Sequence, residues 1–136
     1  MKILLIEDKK QKEIITKNYL INAKFDVRIV VARSVADACD TVLSMDDIDG
    51  IVIDMQLPDV SGGSINIAGG VDIIKILNEN SIVCPRVVNT SSEETKAVLE
   101  RANMVDEEVI VNSSRYDCSR QFITFINNVQ SYVDNK

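Results

Sequence analysis

A chain of 136 residues, 46% apolar and 26% charged, suits one globular domain that buries roughly two thirds of its unfolded surface. The formal net charge of -6 and a pI near 4.6 argue against nucleic acid or a membrane surface as a partner, and favour a cation or a basic protein face. The chain has no histidine, which excludes Ser-His-Asp and Cys-His nucleophilic sites, His-ligated metals and a phosphohistidine carrier.

No apolar run approaches the roughly 18 residues of a membrane span. Met1 to Ile6 leads directly into Glu7-Asp8, so no signal peptide is expected. Cys39, Cys84 and Cys118 are odd in number and widely spaced, which points to a reducing, cytoplasmic setting.

In chain order, Ile3-Leu4-Leu5-Ile6 predicts a first strand, and Ile14, Ile15, Tyr19 and Leu20 predict the shared face of a helix. Val27 to Val31 predicts a second strand. Ser34 then caps a helix carrying Val35, Ala38, Cys39 and Val42. Ile51-Val52-Ile53 follows as strand three, and Val71, Ile74 and Leu77 as the third helix, starting at Val71. Val87-Val88 is strand four, after which Ser91 and Glu94 form a capping box for the fourth helix. Val109-Ile110-Val111 is strand five, and Phe122, Phe125, Ile126 and Val129 stripe the last helix. The strand runs are β-branched and do not alternate with polar residues, as in parallel strands covered on both faces. The expectation is an α/β three-layer sandwich around a five-stranded parallel sheet, one domain over 1–136 with no output domain.

Ligands of open parallel sheets bind beyond the carboxyl ends of the strands. Strand one ends in Glu7-Asp8 and strand three in Asp54. Carboxylates that close repel each other unless a cation lies among them, and oxygen donors of this kind suit Mg²⁺. A capping role explains one such acid well but not three at two strand ends. Thr90 and Ser91 end strand four, where a hydroxyl can bond an oxyanion held beside Asp54; helix capping is the competing role, strongest for Ser91 and Ser92.

With "LLIED" at strand one, "IDMQLPDVSG" at strand three and the hydroxyl pair at strand four, the chain resembles a response-regulator receiver domain of two-component signalling. The resemblance spans essentially the whole chain and implies a flavodoxin-like sheet of order 2-1-3-4-5, the order for which a receiver is a standing example. It implies that Asp54 accepts a phosphoryl group from a phosphohistidine of a histidine kinase or phosphotransfer protein. It implies that Asp8, Asp54 and the Gln56 carbonyl hold Mg²⁺, with Glu7 assisting through water, and that Thr90 moves to the phosphoryl oxygen. A downstream protein target is expected, and a weak homodimer is allowed.

Two departures stand out. The family's Lys at the end of strand five falls at Asn112, which is followed by Ser113 instead of Pro; no Lys lies between Lys96 and Lys136, and Arg115 is the nearby cation. The aromatic three residues before that Lys is replaced by Val109. "GGSINIAGG", residues 62–70, displaces the third helix by about eight residues, and without a following Gly-Lys-Ser/Thr it is a surface loop, lid or partner-selecting loop before it is a phosphate loop.

The expected function is a stand-alone phosphoacceptor that is not itself an enzyme. The alternative is a pseudo-receiver, a protein-interaction module independent of phosphorylation. A Mg²⁺-dependent phosphatase or phosphotransferase would need a second Asp where Gln56 stands, and the missing Lys.

Overall fold

Strands whose side chains are apolar on both sides become central strands only if helices cover both faces of the sheet. The computed structural model, which describes residues 1–24 and 26–136, has that arrangement. Its elements are β1 Lys2–Ile6, α1 Lys10–Ala23, β2 Arg28–Ala32, α2 Val35–Ser44, β3 Gly50–Ile53, β4 Leu57–Pro58, β5 Ile65–Asn66, α3 Gly69–Glu79, β6 Arg86–Thr90, α4 Thr95–Arg101, β7 Val109–Val111 and α5 Ser119–Asp134. The five-stranded parallel sheet runs β2-β1-β3-β6-β7, the expected order 2-1-3-4-5 once the short β4–β5 pair is set aside. No helix among the described residues is long and apolar enough to cross a membrane.

Alternate residues of each strand feed opposite layers. Leu4, Ile6, Ile51, Ile53 and Val88 pack with Val42 of α2, Ile74 and Leu77 of α3 and Leu99 of α4. Ile3, Leu5, Val52, Val87 and Ile110 pack on the other side with Leu20 of α1 and the α5 stripe Phe122, Phe125, Ile126 and Val129. Each fully buried Leu, Ile or Phe contributes about 1.5–3 kcal/mol, so both layers are needed to hold the sheet.

Three local expectations change. In α1 the buried positions are Glu13, Thr16 and Leu20, while Ile14 and Ile15 are 49% and 43% exposed. The helix turns a polar stripe inward because its polar groups find partners there. Glu13 pairs with Lys17 at 2.7 Å and Arg33 at 2.6 Å, and Thr16 accepts from the Asn89 side chain at 3.0 Å. The Ser91–Glu94 capping box does not form, because α4 starts only at Thr95, with Glu94 as its uncapped N-cap. Instead Ser92 Oγ accepts from Glu94 N in the turn before it. Ser34 does cap α2, accepting from Asp37 N at 3.1 Å.

The third change is the insertion. Helix α3 begins at Gly69, two residues before Val71, and the segment ahead of it folds back as an antiparallel β4–β5 pair, Leu57 opposite Asn66 and Pro58 opposite Ile65. Asn66 anchors it, donating to both Asp59 and Asp72 at 2.9 Å while accepting from Ala68 N. Ser61 bonds Asp37 of α2. The insertion is therefore a pinned hairpin, not a loose loop over Asp54.

Candidate functional site

Two ladder hydrogen bonds place the acids. Asp54 N donates to Ile6 O at 3.0 Å, and Glu7 N donates to Ala32 O at 2.9 Å. Each acid is the residue just past its strand, β3 or β1, still tied to the neighbouring strand, so its side chain emerges at the carboxyl edge on a rigid base. A carboxylate oxygen from each of Glu7, Asp8 and Asp54 lies within 4.8 Å of the others. Glu7 and Asp54 are 0% and 2% exposed.

Asp54 Oδ1 accepts from Met55 N at 2.8 Å, which fixes the carboxylate's rotation. Asp8 Oδ1 and Asp54 Oδ2 are buried atoms that accept no hydrogen bond among the described residues, and Glu7 Oε1 accepts none either, with a cation 3.5 Å away. Orphaned carboxylate oxygens facing one another are costly unless a proton or cation joins them. Burial, and then the charge of Asp54, push the Glu7 carboxyl up to about 8, with Lys12 opposing. The donor set is all oxygen, compact and anionic, and fits a hard divalent ion such as Mg²⁺. Gln56, the fourth predicted ligand, follows in the exposed turn two residues after Asp54.

One residue in the site was missed by reading the sequence. Lys12, on the first turn of α1, places its Nζ 3.2 Å from Asp54 Oδ1 and 3.5 Å from Glu7 Oε1, with its side chain 21% exposed. The signal was present: side chains on a helix tilt towards its N-terminus, and α1 starts two residues beyond Asp8. Arg115, the cation weighed from sequence, is exposed, and its backbone N–H bonds Ser113 Oγ.

Thr90 ends β6 as expected and is 2% exposed, but its hydroxyl is engaged locally, 2.8 Å from Thr95 Oγ1 and accepting from Ser92 N at 3.1 Å. Asn112 follows β7 and is held by its backbone N–H to Thr90 O at 2.6 Å. Asn112 lines a crevice of about 200 Å³ together with Lys12, Ile15, Tyr19, Ser113, Ser114 and Tyr116. The Asn112–Ser113 peptide bond is trans, as a non-proline bond should be.

The fold that carries these residues recurs in solved structures. The bacteriophytochrome response regulator AtBRR superposes with a TM-score of 0.72 at 21% identity, covering 95% of this chain and 91% of its own. The chain has the response-regulator receiver fold. A second receiver-fold neighbour, the bacteriophytochrome response regulator RtBRR, has a TM-score of 0.71 at 23% identity, over 94% of this chain and 76% of that one. The response regulator TrrA of Thermotoga maritima, solved in complex with Mg²⁺-BeF, reaches 0.68 at 17% identity, over 90% and 96%. No family model and no curated protein matches the sequence. At these identities the likeness to the receivers is one of fold.

Proposed function

We propose that this receiver fold acts in two-component signalling, accepting a phosphoryl group on Asp54 from a phosphohistidine of a histidine kinase or phosphotransfer protein. The observation that carries this reading is Asp54 itself, a buried carboxylate at the end of a central strand with Oδ2 unpartnered and Glu7 and Asp8 beside it. Glu7, Asp8 and Asp54, with the Gln56 carbonyl, would hold Mg²⁺, an ion present in the complex of the Thermotoga maritima neighbour. When bound, the ion neutralises charge on the phosphoryl oxygens.

The protein's part is to hold the nucleophile and its surroundings still. A carboxylate oxygen of Asp54 attacks phosphorus in line. The O–P bond forms as the P–N bond of the phosphoimidazole breaks, and the departing imidazole nitrogen takes a proton. The site acts as an acceptor and not as an enzyme turning over a separate substrate. The modified domain then presents a changed surface to a downstream protein target in the cytoplasm.

A second reading, a pseudo-receiver that binds its partner without phosphorylation, is favoured by the engaged Thr90 hydroxyl and by Asn112 in the place of a Lys. Incubation with a small phosphodonor and Mg²⁺, followed by intact mass, separates the two. The acceptor reading expects one added phosphoryl group that is absent from Asp54→Asn. An unmodified wild type that still binds its partner as well as Asp54→Ala does would establish the pseudo-receiver.

A further inference from the structure

Transfer of a phosphoryl group onto Asp54 brings an anion into a pocket that already holds three carboxylates. One divalent ion leaves that pocket short of positive charge, and the residue at the end of β7 is the neutral Asn112. Among the described residues, the cationic side chain paired with Asp54 is Lys12. Its ammonium is 3.2 Å from the Asp54 carboxylate, and the residue lines the same crevice as Asn112. It also touches Glu7, so it is held between two acids on a short helical tether and not free in solvent.

We propose that Lys12 supplies the phosphoryl-binding charge of this site, delivered from α1 instead of from the end of β7. The inference rests on the acceptor reading above. Before transfer, Lys12 is the counter-ion of Asp54, with Glu7 Oε1 also in its reach. As the O–P bond forms, the negative charge moves outward from Asp54 to the phosphoryl oxygens, and the ammonium follows by rotating its flexible four-carbon stem. The helix need not shift. A charge-assisted bond replaces a neutral one, which by the usual difference is worth roughly tenfold in the stability of the modified state and of the transition state leading to it.

The same position makes Lys12 a competitor of the metal. An ammonium beside Glu7 and Asp54 repels a divalent ion, so removing it should tighten Mg²⁺ binding while slowing phosphorylation. Loss of fold would weaken both, so the opposed signs identify the role.

The test compares wild type, Lys12→Gln, Asn112→Lys and the double variant, all verified as folded by thermal unfolding. Phosphorylation by a small phosphodonor at saturating Mg²⁺ is followed by intact mass, and Mg²⁺ affinity is measured separately by titration without donor. Lys12→Gln is expected to slow modification roughly tenfold and to bind Mg²⁺ more tightly. Adding Asn112→Lys is expected to restore the rate, since it returns an ammonium to the same crevice. A Lys12→Gln variant modified at the wild-type rate, or one with unchanged Mg²⁺ affinity, overturns the role of Lys12 and leaves the acceptor reading standing. A wild type that takes up no phosphoryl group under conditions where Mg²⁺ binds overturns both.

Discussion

Glu7 and Asp54 share one buried corner, and their charges cannot both be carried there without a cation. Because the folded carboxyl of Glu7 titrates at about 8 against an ordinary 4.5, the folded state keeps a proton that the unfolded chain has already released. Stability of the metal-free protein should therefore fall as pH rises from about 4.5 to 8. Glu7→Gln removes that slope. In EDTA it should be more stable than wild type by about 1–3 kcal/mol at pH 8 and by little at pH 5. Asp54→Asn should act in the same direction by relieving the same repulsion. Urea unfolding at the two pH values checks this, and Mg²⁺ should stabilise wild type at pH 8 but neither variant to the same degree. Equal urea midpoints for wild type and Glu7→Gln at pH 8 would mean that Lys12 alone already balances the corner.

At the scale of elements, two contacts hold the helices that frame the site. Helix α3 approaches the Asp54 turn through Gly70, whose N–H donates to Met55 O at 2.9 Å. A Cβ there would lie 2.8 Å from Asp54 O and 3.0 Å from Met55 Cα, both backbone atoms that cannot yield alone. Gly70→Ala should therefore push the helix away, cost about 1–3 kcal/mol in unfolding and weaken Mg²⁺ binding by disturbing the Asp54 turn. Gly62→Ala is the contrast: nothing lies near its added Cβ, but its φ of +78° makes the change cost about 1 kcal/mol with Mg²⁺ affinity unchanged.

Helix α1, which carries Lys12, is tied to the loop after β2 by Glu13. The Lys17 ammonium, and after it the Arg33 guanidinium, hold the Glu13 carboxyl down at about 2 despite its burial. A depressed carboxyl contributes stability above its unfolded value, lost as pH falls from about 4.5 to 2. Glu13→Gln should then lower stability near neutral pH by about 1–2 kcal/mol, a figure reduced because both partners keep contact with water, and leave it unchanged near pH 2. Unfolding curves across that range decide whether the acid limb of the stability profile belongs to this residue.

Across the whole molecule, the carboxyl edge of the sheet is the place where two packed layers meet the ends of β1, β3, β6 and β7. The strand register pairs Ile6 with Ile53, Ile53 with Val88 and Thr90 with Val111, so the apolar runs end together at one edge of the sheet. That register alone brings residues 7, 54, 90 and 112 to one edge, although they are separated by tens of positions in the chain. The fold is therefore a device for convergence, and the chemistry depends on which side chains it happens to converge.

Much of this was legible in the sequence by itself: five β-branched runs, their order, the helices between them, and the acids Glu7, Asp8 and Asp54 at strand ends. These follow from periodicity and from termini, which are local properties of the chain. The tertiary structure alone decided the rest. It turned Glu13 and Thr16 of α1 inward instead of Ile14 and Ile15, engaged the Thr90 hydroxyl with Thr95, folded the insertion into a hairpin, and set Lys12 against Asp54. Hydrophobic spacing records where apolar surface must be buried, and does so one element at a time. A charged or hydroxyl group is placed by partners distant in sequence, and a lysine on a flexible stem can serve either solvent or a buried carboxylate, so only the packed fold determines which.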